Sequence, residues 1–272
     1  MGWNLGFGAF GMKRKKRSKK RRLERGIYVL PNLLTSANLF CGFYAIIAGI
    51  QGDFIKGAIA IMVAAVFDVL DGKIARVTRT VSKFGLEYDS LSDAISFGVA
   101  PGILVYLWAL QPFGRLGWLA ALLFVACGTL RLARFNTQAG SISSEYFIGL
   151  PIPAAAFMIA ATVLLLHRFG GGGTTRHVTV LIMIYVLSFL MVSTVKYYSF
   201  KHATLFKKMK FNMLVVVILF AIVIAAEPSL IFFLMMLCYI LSGPVTTLWL
   251  RKKRQGEAAL SNRADISSQE PV

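Results

Sequence analysis

Along the chain, apolar stretches of about 20 residues, the length at which a helix crosses a hydrocarbon core, alternate with short polar or basic connections. They run at 28–50, 55–77, 87–110, 116–135, 148–168, 177–198, 211–226 and 229–249. This pattern predicts an all-α, polytopic membrane helix bundle of about eight transmembrane helices. The stretch at 211–226 is the weakest, being short and ending at Glu227-Pro228.

Charge adds a direction. Eight spans sort the 30 Lys and Arg residues onto two sides, 26 on one and only Lys56, Arg115, Arg168 and Arg176 on the other. Cytoplasmic loops collect positive residues, so both termini are expected in the cytoplasm, in a protein integral to the cytoplasmic (inner) membrane. A chain that is 57% hydrophobic with a net charge of +18 suits anionic lipid or phosphate as partner. No nucleic acid is expected, since no aromatic-rich basic groove is present. The run "MKRKKRSKKRRLER" at 12–25 reads as a disordered basic tail on anionic headgroups, and "SNRADISSQEPV" at 261–272 as a disordered end. "FGGGGTT" at 169–175 lacks the Lys and the strand-to-helix setting of a phosphate cradle. Cys41, Cys127 and Cys238 are odd in number and far apart, which argues against a disulfide framework or a thiolate metal site.

Against this background, "FDVLDGKIARVTRTVSKFGLEYDSLSDAISF" at 67–97 places four aspartates where two spans meet. At 3.6 residues per turn, Asp68 and Asp71 fall about 60° apart on one helix face, with Gly72 and Ala75 between and beside them. Asp89 and Asp93, four apart, share a face of the next helix. Asp68 lies about ten residues before a turn near 78–85 and Asp93 about eight after it, roughly 12–15 Å by helical rise, so the two pairs can meet. Buried charge within a membrane is expensive unless it has a use. Oxygen ligands without His or Cys favour Mg²⁺, Mn²⁺ or Ca²⁺.

The pattern Asp68-x₂-Asp71-Gly72-x₂-Ala75-Arg76-x₈-Gly85-x₃-Asp89-x₃-Asp93 resembles the complete signature of the CDP-alcohol phosphotransferases. "LPNLLTSANLFCGFYAI" at 30–46, "RLARFN" at 131–136 and "GLPIPAAA" at 149–156 look like the membrane-integrated phosphatidylserine synthase branch. The resemblance implies a core at 27–200 with six transmembrane helices, two additional helices at 201–250, and cytoplasmic tails at 1–26 and 251–272.

It also implies transfer of a phosphatidyl group from CDP-diacylglycerol to an alcohol, with release of CMP, at a site facing the cytoplasm. Two divalent cations, Mg²⁺ or Mn²⁺, would be held by Asp68, Asp71, Asp89 and Asp93, and Asp93 would also take the proton. Asn32, Thr35, Gly72, Ala75, Arg76, Ser82 and Gly85 are the matching candidates for the CDP-lipid. Arg131, Arg134 and Asn136 are candidates for the acceptor, which the branch resemblance implies is L-serine. A homodimer is implied as well. Two alternatives stay open: the same chemistry on glycerol 3-phosphate or an inositol phosphate, and a cation- or proton-coupled transporter that uses the buried acids.

Overall fold

The computed structural model describes residues 8–78, 82–138, 146–170, 178–198 and 227–267. Within them the chain forms α1 (Gly8–Ile50), α2 (Phe54–Thr78), α3 (Lys83–Asp93), α4 (Ala100–Val105), α5 (Arg115–Gln138), β1 (Tyr146–Ile148), α6 (Ile152–Arg168), α7 (Val178–Val192), β2 (Lys196–Tyr198) and α8 (Pro228–Ser267). The helical class expected from the apolar stretches is what is found, with one short two-stranded ladder added.

The count of spans is more modest than expected. Among the described residues, four helical segments are long and apolar enough to cross a membrane: Val29–Ile50, Lys83–Phe113, Arg115–Thr137 and Pro228–Thr247. Two apolar helices, Ile152–Arg168 and Val178–Val192, are shorter. α2 has 25 residues but carries Lys56, Asp68, Asp71, Lys73 and Arg76, which dilute its apolar character. The seventh expected span, 211–226, lies outside the described residues, as does most of the "FGGGGTT" loop.

Both tails depart from the expectation of disorder. The basic run at 12–25 continues α1, and α8 extends to Ser267. Residues 12–25 contain neither Pro nor Gly and consist almost entirely of Lys, Arg, Leu and Glu, all good helix formers. The C-terminal run likewise offers Ala, Leu, Arg and Glu.

α3 and α4 belong to one long helix, Lys83–Phe113, interrupted by π-helical turns at Ala94–Val99 and Tyr106–Leu110. Each π turn immediately precedes a turn containing proline. Pro101 and Pro112 have no N–H to continue the α ladder and crowd the preceding carbonyls. The chain answers by widening: Ala100 N–H reaches back to Ile95 O and Gln111 N–H to Tyr106 O, both five-residue steps. A π turn of this kind re-aims the side chains on either side of it.

Close packing depends on small residues. α1 lies along α2 and against α3 and α4, with Ala45, Ala58, Ala60 and Ala64 fully or nearly fully buried. At Gly42 an added Cβ would sit 2.6 Å from Ser96 Cα, and at Gly57 2.6 Å from Leu104 Cδ1. Where lipid tails are as apolar as the protein, this backbone proximity supplies the dispersion contact that holds helices together. Phe97, Trp108, Phe124, Ile152 and Ile159 continue the core between α3, α4, α5 and α6.

The ladder corrects the expected span ends at 148 and 198. Tyr146 pairs with Tyr198 and Ile148 with Lys196, antiparallel. Gly149 N–H donates to Val195 O at 2.8 Å and Leu150 N–H to Leu190 O at 3.0 Å. Gly149 has φ +79°, and an added Cβ there would lie 2.4 Å from Met191 O, so only glycine fits. Tyr197 ties the ladder to α8: its hydroxyl donates to Ile240 O at 3.3 Å, and its ring occupies the space beside Gly243. Gly149→Ala is expected to destabilise the fold by about 2 kcal/mol, read as a lowered thermal midpoint of the detergent-solubilised protein.

Candidate active site

α2 ends at Thr78 and α3 begins at Lys83, and the fold brings the second half of α2 beside α3. One carboxylate oxygen from each of Asp68, Asp71 and Asp89 lies within 4.8 Å of the others. Asp93, one turn further along α3, is only 9% exposed. It stands outside that trio and accepts a hydrogen bond on Oδ1 from Asn38 Nδ2 at 3.0 Å.

α1 supplies the frame that orients these acids. Thr35 Oγ1 donates to Asp71 Oδ2 at 2.9 Å, and Asn38 holds Asp93. In the opposite sense, Ser92 Oγ donates to Thr35 O at 3.1 Å and Ser96 Oγ to Asn38 O at 3.0 Å. The same two α1 residues therefore grip carboxylates with their side chains and are gripped through their carbonyls. Ser36 and Tyr88 add a hydroxyl contact of 2.9 Å. Such outer partners fix ligand orientation, and their loss commonly weakens a metal site.

The charge balance points to a cation. The ion pairs among the described residues are Lys56–Asp53 and Arg168–Glu227, so none joins the four aspartates to Lys or Arg. Asp89 Oδ1 is buried without a hydrogen-bond partner. Three carboxylates this close repel one another unless protonated or bridged by positive charge. An all-oxygen donor set with a free buried oxygen fits a hard divalent ion.

The other expected residues divide by what they touch. Gly72 borders the acids with open space around it: an added Cβ would meet nothing nearer than Arg76 Nη2 at 3.8 Å. Arg76 is exposed and folds its Nε back onto Gly72 O at 2.8 Å. Ala75 is half-buried. Ser82 caps α3, accepting from Gly85 N–H at 3.0 Å. Asn32 is close by, since a Cβ on Gly85 would lie 3.4 Å from Asn32 Oδ1.

Of the acceptor candidates, Arg131 on α5 is 8% exposed and its buried Nε has no partner. It lies within electrostatic reach of Asp93 and Tyr239. Arg134 instead donates to two backbone carbonyls, Ile148 O at 2.9 Å and Val192 O at 3.2 Å, and so fastens the ladder to the end of α7. Asn136 is exposed and donates to Ser90 Oγ at 2.9 Å. Asn38 was not among the residues singled out from the sequence. Its signal was present all the same, as an amide in the middle of an apolar span, one turn beyond Thr35.

A model of the CDP-alcohol phosphatidyltransferase family matches residues 28–192, a range that contains all four aspartates and the α1 residues that hold them. The chain belongs to the CDP-alcohol phosphatidyltransferase family. Family membership sets aside the ion-coupled transport reading and leaves α8 outside the matched core. Over 187 residues this CDP-alcohol phosphatidyltransferase is 38% identical to the CDP-diacylglycerol--serine O-phosphatidyltransferase of Helicobacter pylori, covering 69% of this chain and 76% of that one. It is 44% identical over 134 residues to the archaetidylserine synthase of Methanothermobacter thermautotrophicus, covering 48% of this chain and 56% of that one. A CDP-diacylglycerol--serine O-phosphatidyltransferase of Mycobacterium tuberculosis is 35% identical over 159 residues, 56% of this chain and 55% of that one.

If Thr35 orients Asp71 for a cation, Thr35→Val should weaken Mn²⁺ binding about tenfold to a hundredfold while Thr35→Ser restores it. Electron paramagnetic resonance of free Mn²⁺ during titration provides the measurement, and unchanged affinity in Thr35→Val would remove that role.

Proposed function

We propose that this enzyme transfers the phosphatidyl group of CDP-diacylglycerol to the hydroxyl of L-serine, producing phosphatidylserine and CMP. The observation that carries the reading is the Asp68–Asp71–Asp89 trio with a separately held Asp93 and a buried Arg131 whose Nε has no partner. The names of the relatives support the acceptor: they differ in the lipid, phosphatidyl or archaetidyl, but share serine.

Two divalent cations, Mg²⁺ or Mn²⁺, held by Asp68, Asp71 and Asp89 with Asp93 at the edge, would neutralise the pyrophosphate and its leaving group. Asp93 takes the proton of the serine hydroxyl. The serine oxygen then forms its bond to the lipid-side phosphorus as the bond from that phosphorus to the bridging oxygen breaks, and CMP leaves with that oxygen. One in-line displacement needs no covalent enzyme intermediate. Asn38 keeps the Asp93 carboxylate oriented toward the acceptor. Gly72 leaves room for the CDP group to approach the backbone, and the guanidinium of Arg76 offers forked donors to phosphate. Arg131 receives the serine carboxylate, which separates serine from acceptors without one. Ser82 contributes by capping α3, which in turn presents Asp89.

The site faces the cytoplasm in this reading, with both termini on that side and 211–226 as the seventh of eight spans. The positive-residue bias supports it, and so do the pairs Lys56–Asp53 and Arg168–Glu227, which offset two of the four cations assigned to the outer side.

Purified protein supplied with CDP-diacylglycerol should release CMP with serine, but not with glycerol 3-phosphate or inositol 1-phosphate, and a chelator should stop it. Release with another alcohol and not with serine would overturn the acceptor. Asp93→Asn should lower kcat about 10²- to 10⁴-fold while Mn²⁺ still binds; full turnover would remove Asp93 as the base. Arg131→Gln should raise the KM for serine about tenfold to a hundredfold with little change in the KM for CDP-diacylglycerol.

A further inference from the structure

Among the described residues, three buried side-chain atoms have no hydrogen-bond partner: Asn38 Oδ1, Asp89 Oδ1 and Arg131 Nε. Such atoms are scarce in folded proteins, and each calls for an occupant. Asp89 belongs to the carboxylate trio, where a cation accounts for its free oxygen. The other two are a bare acceptor and a bare donor, and Asp93 connects them. Asn38 Nδ2 donates to Asp93 Oδ1 at 3.0 Å, and Arg131 lies within electrostatic reach of Asp93. Asn38 is fully buried and Arg131 is 8% exposed, so bulk water serves neither.

The orphaned oxygen follows from the way the base is held. A carboxamide has donors at one end and an acceptor at the other. Against an ionised Asp93 only the NH₂ end is favourable, since the reverse setting would bring two acceptors face to face. Orienting Asp93 therefore turns Asn38 Oδ1 toward a different neighbour, and the hydroxyls around it are already engaged. Ser92 and Ser96 donate to the Thr35 and Asn38 carbonyls, and Thr35 Oγ1 bonds Pro31 O and Asp71. What the site lacks is a donor on the Asn38 side of Asp93 and an anion at Arg131. Serine offers both: the carbon next to its hydroxyl-bearing carbon carries the ammonium and the carboxylate. Glycerol 3-phosphate and inositol 1-phosphate have no ammonium to give.

We infer that Asn38 Oδ1 accepts a hydrogen bond from the ammonium of the serine acceptor, so that Asn38, Arg131 and Asp93 hold the amino group, carboxylate and hydroxyl at three points and distinguish the two enantiomers. The inference rests on the proposed serine acceptor and adds what recognises its amino group. Asn38 then has two roles, one for each end of its amide.

The test compares four acceptors by CMP release from CDP-diacylglycerol, using the full-length protein with Mn²⁺: L-serine, D-serine, 3-hydroxypropionate, which lacks the amino group, and 2-aminoethanol, which lacks the carboxylate. In the unsubstituted enzyme, kcat/KM for 3-hydroxypropionate should be at least about a hundredfold below that for L-serine, because the missing ammonium leaves a buried oxygen unpaired. D-serine should be at least about tenfold poorer than L-serine, since it can satisfy only two of the three contacts. Asn38→Ser should shrink the advantage of L-serine over 3-hydroxypropionate at least about tenfold and leave its advantage over 2-aminoethanol within about twofold. Arg131→Gln should do the reverse. A ratio between acceptors cancels any general loss from a less well oriented Asp93, and the comparison in the unsubstituted enzyme decides the matter even if Asn38→Ser does not fold. No CMP release with L-serine would overturn the acceptor and this inference together. Release with L-serine, but with 3-hydroxypropionate or D-serine used within about twofold as well, or with all four acceptors falling equally in Asn38→Ser, would overturn this inference alone.

Discussion

Carboxylates repel, and a low-dielectric helix bundle amplifies that repulsion; the gathering of Asp68, Asp71 and Asp89 within 4.8 Å is the constraint around which this structure is organised. The bundle does not relieve it with Lys or Arg. It relieves part of it with neutral donors from α1, Thr35 to Asp71 and Asn38 to Asp93, and leaves a buried Asp89 oxygen free. That partial satisfaction suits a site completed by cations, since a fully neutralised cluster would have no remaining affinity for them.

Holding the acids in place requires α1 to come unusually near to the long helix that begins at Lys83. Gly42 permits the contact with Ser96, and the π turn at Ala94–Val99 sits at that contact. The hydrogen bonds of Ser92 and Ser96 to α1 carbonyls then set the register between the two helices, so Asn38 faces Asp93 and Thr35 faces the Asp71 carboxylate. Packing and chemistry are therefore joined in one stretch of α1: Gly42, which allows approach, lies about one helical turn from Asn38 and about two from Thr35, the residues that orient the acids.

A second brace lies on the other side of the site. Arg134, through two carbonyls, links α5 to the ladder and to the end of α7, and Tyr197 carries the link to α8. Arg131, one turn earlier on α5, keeps a buried Nε without a partner. Two arginines three residues apart thus differ, one bonded to two backbone carbonyls and the other buried with its Nε unpaired. In the proposed reaction that difference assigns the acceptor carboxylate to Arg131 alone.

Much of this was legible in the chain. Apolar length announced helices in a membrane, helical angle and distance from a common turn brought the aspartates together, and their fixed spacing carried the resemblance to the family to which the chain belongs. These features are local, set by periodicity and by residue type within one helix or one hairpin of helices. What separates Arg131 from Arg134, the pairing of Asn38 with Asp93 and the strands at 146–148 and 196–198 were not legible, because each depends on which residues distant in sequence become neighbours. Arg131 and Arg134 look alike in "RLARFN"; only the position of the Ile148 and Val192 carbonyls makes one a clamp and leaves the buried Nε of the other without a partner. The sequence by itself determined that the acids of two successive helices could meet. The tertiary structure decided which side chains orient them, because those hydrogen bonds are made between segments and not along them.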